Sequence, residues 1–163
     1  MAGVLGDPAL YEFTGGSPPS LGELRARYAR LAAGAPGGGT VWGNWVLRLR
    51  ADGVLGGYVQ VTIRDAVAEV AWVVGTPWQG RGIAGEAARG LVARLGRLPL
   101  RAVVAHVHPD HRASAAVAAS AGLVRTDLVH DDEAVWRLDL TPPGAPGPGP
   151  GHRRSPRPRP GER

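Results

Sequence analysis

Three groups of residues in this chain have types and spacings that suit chemistry. The first is Gln79-Gly80-Arg81-Gly82-Ile83-Ala84-Gly85. Closely spaced glycines let a backbone curl until several N–H groups converge. If the turn opens a helix, the unpaired N–H groups of the first turn and the positive end of the helix dipole join them. The result is an anion site suited to a diphosphate, with Arg81 adding a charged contact. The residues alone also allow Gly80 and Gly82 to do no more than shape a tight turn. The second is Glu69, a carboxylate in the otherwise apolar run Val67-Ala68-Glu69-Val70-Ala71-Trp72-Val73-Val74. Burial would raise its pKa and make it a proton acceptor. On the solvent face it would simply alternate with Ala68 and Val70. The third is the segment from His106 to Ser114. His106 and His108 share one strand face and His111 follows a turn, but no carboxylate pattern completes a zinc set, so no metal is expected. Ser114 suits either proton donation or the capping of a helix N-terminus. With no Cys in the chain there is no thiol to carry an acyl group.

Alternating helices and strands must position these groups. Ser20-Leu21-Gly22-Glu23 is a capping box, and Leu21, Leu24, Tyr28 and Leu31 recur at helical spacing, predicting a helix over 21–33. Val41 to Arg50 and Leu55 to Arg64 read as a hairpin around Ala51-Asp52-Gly53. Asp65-Ala66 turns into a third strand, 67–74, and the three form an antiparallel meander. After the Gly-rich turn a helix is expected over 82–95, with Ile83, Ala87, Leu91 and Leu95 on one face. A strand over 101–107 ends at Pro109. Asp110 is placed to cap a helix over 113–121, which Gly122 stops. Asp131-Asp132-Glu133 reads as a solvated turn before a last strand, 134–140. The fold class is therefore α/β (α+β), a mixed central sheet with a meander followed by β-α-β-α-β. Gly80, Gly82 and Gly85 also match a dinucleotide fingerprint. That motif opens a βαβαβ unit at its first strand, whereas here three strands precede it and too few elements follow.

Composition limits the partners. The chain has 163 residues, 44% of them apolar, and a net charge of +5 carried by 19 Arg and no Lys. Residues 142–163 include eight Pro and five Gly, with five Arg against one Glu. Such a segment cannot bury enough surface to order itself and is expected to be a disordered tail. It holds +4 of the net charge, leaving residues 1–141 as a nearly neutral domain. The tail has no interleaved aromatic residues, so nucleic acid is not the expected partner. No apolar stretch is long enough to span a bilayer, and Met1 to Leu10 does not read as a signal peptide. A cytoplasmic location follows as an expectation, with no membrane partner and a monomer or homodimer.

Gln79-x-x-Gly82-x-Ala84 resembles the acetyl-CoA signature of the GNAT superfamily of acyltransferases. Val67 to Val74 is similar to that family's fourth strand, and Glu86-Ala87 follows the signature as in its RimJ/RimL-like branch. Val107-His108-Pro109-Asp110-His111-Arg112-Ala113-Ser114 resembles that branch's segment ending in Ala-Ser, and Gly122-Leu123 stands where the branch has Gly-Phe. The family has Asn where this chain has His111. It also usually starts with a strand and a longer first helix, and this chain begins inside that pattern, so the first strand is expected either to be missing or to lie upstream of Met1. The resemblance implies acetyl-CoA as cosubstrate. Gln79, Gly80, Arg81, Gly82, Ile83 and Ala84 would hold its diphosphate, and His111 would contact it or fix its loop. The backbone of Trp72, Val73 and Val74 would meet the pantetheine arm, with an N–H near Val73 or Val74 facing the thioester oxygen. Glu69 would be the base, and Ser114 would contact the thiol region. Trp72 and Trp78 flank that position and could line an acceptor pocket. The implied activity is direct acetyl transfer to a primary amine, a protein N-terminus or a small molecule. A non-catalytic acyl-CoA-binding domain with a basic interaction tail is the alternative.

Overall fold

The computed structural model describes residues 1–36 and 38–140. The tail and the far boundary of the domain, residues 141–163, lie outside the described residues. The chain starts with a helical turn, α1 (Ala2–Leu5), a 3-10 turn (Pro8–Tyr11) and helix α2 (Leu21–Ala33). The capping box forms as expected: the Ser20 hydroxyl accepts from Glu23 N–H, and the Glu23 carboxylate accepts from Ser20 N–H at 2.8 Å. Then come β1 (Thr40–Arg48), β2 (Leu55–Arg64), β3 (Val67–Val74), α3 (Ile83–Leu95), β4 (Ala102–Val107), α4 (Arg112–Ser120), β5 (Val124–His130) and β6 (Glu133–Asp139). They build a six-stranded mixed sheet in the order β1-β2-β3-β4-β6-β5, and only the β3–β4 pair is parallel. Among the described residues no strand precedes β1, which forms an edge of the sheet.

The two faces of the sheet do different jobs. Alternation sends Val59, Val61, Ala68, Val70, Val103 and Ala105 to one face, where Ala88, Leu91, Val92 and Leu95 of α3 and Ala118 of α4 cover them. Val103 at the centre is 0% exposed. On the opposite face α1 and α2 cover only one end, through Val4, Leu5 and Leu24 packed with Tyr28, Tyr58, Val73 and Trp78. The remainder of that face is open, and Glu69, Ala71 and Asn44 stand exposed on it.

Two expectations need correction. β5 was not expected. Its sequence, Val-Arg-Thr-Asp-Leu-Val-His, lacks a clean period of two, and its pairing with β6 is itself irregular between Arg125 and Val129. It folds back on β6 through Asp131-Asp132, both at positive φ (48° and 64°), the backbone of a tight hairpin turn. Glu133 is thus the first residue of β6, outside the turn. Nor does Asp110 cap α4: the cap residue is His111, with no side-chain bond. Gly122 does end that helix (φ +90°): Gly122 N–H donates to Ala119 C=O, and Leu123 N–H to Ala118 C=O, while the Leu123 side chain is buried. No helix among the described residues is long and apolar enough to cross a membrane.

Candidate active site

The site begins where β3 and β4 part. These strands are paired only at Val67–Ala102, Ala68–Val103 and Glu69–Val104. Arg101 clamps the closed end of the V. Its N–H donates to Ala66 C=O and its Nη2 to Asp65 C=O, both at 2.7 Å. Beyond Glu69 the strands diverge, and backbone groups on the inner edge of β3 lose their neighbour. Which residues those are follows from the β2–β3 ladder. Gly75 N–H donates to Gly56 C=O at 2.9 Å, one step beyond the opposed Gly57–Val74 pair. Hydrogen-bonded and non-bonded pairs alternate in an antiparallel ladder. The main-chain groups of Glu69, Ala71 and Val73 therefore face β2, and those of Val70, Trp72 and Val74 face the gap. Of the two N–H groups expected near a thioester oxygen, that of Val74 faces the gap and that of Val73 faces β2, while the Val73 side chain packs with Trp78 and Tyr58. Gly57 has no room for a Cβ because the Val73 carbonyl lies against it.

The Gly-rich turn lies at the open end of the V. Gly80 (φ +71°) and Gly82 (φ +76°) both take the left-handed conformation, and Gly82 is the cap residue of α3 with no side-chain cap. The first helical bond runs from Glu86 N–H to Gly82 C=O. That leaves the N–H groups of Ile83, Ala84 and Gly85 without intrahelical partners. Gln79 is turned away from them: its Nε2 donates to Val74 C=O at 3.0 Å, tying the turn to the end of β3. Gln79 thus positions the turn. Arg81 is exposed beside it. A residue that sequence reasoning missed is Arg89. A Cβ built on Gly85 would lie 3.3 Å from its Nη1 and 3.2 Å from the Ser120 hydroxyl. The guanidinium thus reaches back toward the helix N-terminus, as helical side chains do. The spacing Gly85–Arg89, one helical turn, was the available signal.

Glu69 is not buried. Its side chain is 55% exposed, on the open face of the sheet, so the argument from burial does not hold. Its Oε1 lies 3.9 Å from Nδ1 of His106, too far for a direct hydrogen bond. The His106 ring stacks on that of His130 (centroids 4.9 Å apart, 12° between planes), and His130 Nδ1 lies 3.5 Å from Asp131. Sequence reasoning missed this line because His130 and Asp131 belong to the unforeseen hairpin. Among the described residues no cluster has the makings of a metal site.

At the end of β4, His108 Nδ1 accepts from Asp110 N–H at 3.2 Å, and His111 starts α4. Phe13, from the N-terminal segment, stacks on His111 with centroids 4.4 Å apart. The same segment grips the end of β3 from the other side, where Val4 and Leu5 pack on Trp78. The Asp7 carboxyl is held below its usual pKa by the Thr76 hydroxyl and the Ala9 N–H. The first 13 residues therefore bridge the two arms of the V. Burial lowers the His111 pKa, with Glu12 opposing and His108 reinforcing that effect. Ser114, third in α4 and half-buried, is past the capping position, so its hydroxyl is not the cap. The Trp72 side chain packs on the α3 side, so only its backbone faces the gap.

The acetyltransferase (GNAT) domain family matches residues 1–124. The chain belongs to the GNAT acetyltransferase family. Solved structures agree on the fold. An acetyltransferase of the GNAT family from Bacillus anthracis has 17% identity and a TM-score of 0.67, covering 85% of this chain and 86% of its own. An aminoglycoside acetyltransferase solved with coenzyme A has 18% identity and a TM-score of 0.66, over 83% and 84%. A phosphinothricin acetyltransferase from Sinorhizobium meliloti, solved with acetyl-CoA, has 19% and 0.58, over 80% and 75%. No curated protein matches the sequence. In this GNAT domain the parted strands, the bare helix N-terminus and the open sheet face all meet at one end of the sheet.

Proposed function

We propose that the protein is an N-acetyltransferase that moves the acetyl group of acetyl-CoA to a primary amine in a ternary complex. The observation that carries this is the gap between β3 and β4, edged by the main chain of Trp72 and Val74, with the α3 N-terminus at its mouth. The residues fit the cosubstrate. Orphan N–H groups at Ile83, Ala84 and Gly85, with Arg81 and Arg89 beside them, suit a diphosphate. The N–H of Val74 suits the oxyanion that develops as the amine adds.

The amine nitrogen forms a bond to the thioester carbon, and the C–S bond breaks with its electron pair leaving on sulfur. Glu69, on the open face beside the gap, takes the proton from the amine directly or through water. Ser114 or water supplies the proton to the thiolate. His111 and His108 hold the loop behind this position. The RimJ/RimL-like segment at 107–114 favours a peptide N-terminus as the acceptor.

The test is to incubate the purified chain with acetyl-CoA and a panel of peptide and small amines, and to follow release of free CoA. Release above background that is lost in Glu69→Gln supports the reading. Tight CoA binding without turnover on any amine refutes it and favours an acyl-CoA-binding role.

A further inference from the structure

On the open face, α2 and the β1–β2 ladder enclose a groove of about 410 Å³. Its floor is Trp42 and Asn44 of β1 with Gln60 and Thr62 of β2, and three guanidiniums stand around it: Arg27, Arg30 and Arg64. No carboxylate lines it. Among the described residues none of the three Arg side chains has an ion-pair partner. Arg27 is held in place, with its Nη2 3.3 Å from the Tyr58 hydroxyl and its Cζ 5.3 Å from the Tyr58 ring centroid. Arg64 donates from Nε to the Thr40 hydroxyl, which leaves its terminal nitrogens available. The groove borders the active site, because Thr62 on its floor is directly opposite Glu69 in the β2–β3 ladder.

We infer that this groove is an acceptor subsite that binds an acidic group, a carboxylate borne by the amine substrate. The inference rests on the N-acetyltransferase reading and names the class of acceptor. The charges on this face are arranged for such a molecule. Glu69 attracts the amine end beside the gap, and the guanidiniums attract a carboxylate farther along the sheet. From the gap across β3 and β2 to the groove floor is about two strand spacings, ~10 Å. An extended peptide spans that in about three residues. The subsite therefore fits a peptide with an acidic side chain at its third position. Guanidinium donors meet carboxylates in charge-assisted hydrogen bonds, and Trp42 on the floor lies beneath them.

Two amidated tripeptides separate the possibilities, Ala-Ala-Glu-amide and Ala-Ala-Gln-amide. Their dissociation constants are measured by calorimetry on the CoA-loaded protein, and their kcat/KM by CoA release. The Glu peptide is expected to bind about tenfold more tightly, a charge-assisted contact's worth. Its kcat/KM should exceed that of the Gln peptide by the same factor through KM. In the double variant Arg30→Gln, Arg64→Gln, both exposed side chains, the preference should fall to near unity. The dissociation constant for CoA and the melting temperature should stay at wild-type values. Equal binding of the two peptides to the wild type, or a preference that survives in the double variant, overturns the inference. A binding preference with no acetylation of any amine leaves the subsite standing and refutes the enzyme reading.

Discussion

Gly82→Ala isolates the contribution of the α3 N-terminus. Gly82 has φ +76° and ψ −2°, and a Cβ built there meets no atom within 4 Å. The substitution therefore carries no steric cost, only the backbone cost of holding an L-residue left-handed, about 1–2 kcal/mol. The turn is exposed, so without ligand it can relax and shed that strain. Relaxation swings the N–H groups of Ile83 and Ala84 away from convergence. Binding CoA must restore the left-handed turn, and the cost then appears in the affinity. A penalty of about 1–2 kcal/mol is a roughly 5- to 30-fold weaker Kd. Gly82→Asn, which tolerates the left-handed conformation better, should recover most of the loss. Calorimetric titration of CoA into the three proteins reads the Kd values, and thermal melts check that the fold is intact. Wild-type affinity in Gly82→Ala, or equal losses for Ala and Asn, would show that the diphosphate is not held by this turn.

Other consequences can be checked on the purified protein. Val103→Ala empties space at the centre of the main core and should cost about 2–3 kcal/mol, read as a lower urea midpoint with an unchanged slope. Ala66 stands at φ +60° in the β2–β3 turn, so Ala66→Gly should stabilise by about 0.5–1 kcal/mol, the relief of strain less the added chain entropy. The lowered pKa of His111 means that the unfolded chain binds this proton more readily than the folded one. Stability should therefore rise with pH from the depressed folded value up to the free imidazole value of about 6.5, and fall as pH drops through that window. His111→Asn should flatten this part of the profile of melting temperature against pH. An unchanged slope would remove the assignment.

Most elements could be read from local patterns because their signals are local. The capping box at Ser20, the apolar stripe of α3 and the Gly122 stop each act within a few residues. The strand β5 could not be read this way, since its pairing with β6 rests on a hairpin turn built from two aspartates in place of Asn-Gly. The left-handed turn at Gly80 and Gly82 was legible because glycine spacing is itself a backbone constraint. The state of Glu69 was not, because burial depends on which elements cover each face, and α2 covers only one end of this one. That the Val74 N–H faces the gap and the Val73 N–H faces β2 needed the hydrogen-bond phase of the ladder, and sequence does not carry that phase. The Arg groove is not legible in the sequence for a similar reason. Arg27 and Arg30 are close in sequence, but Arg64 joins them only because α2 lies over β2, where Arg27 reaches Tyr58 and Gln60.

The most direct measurement is acetyl transfer itself. Acetyl-CoA, the purified chain and an amidated peptide with a free N-terminus are incubated, and the peptide is analysed by mass spectrometry alongside the release of CoA. An acetylated N-terminus is expected to form in step with free CoA, with the rate lost in Glu69→Gln while CoA still binds. Bound CoA with no acetylated amine from any peptide or small-molecule acceptor would contradict it.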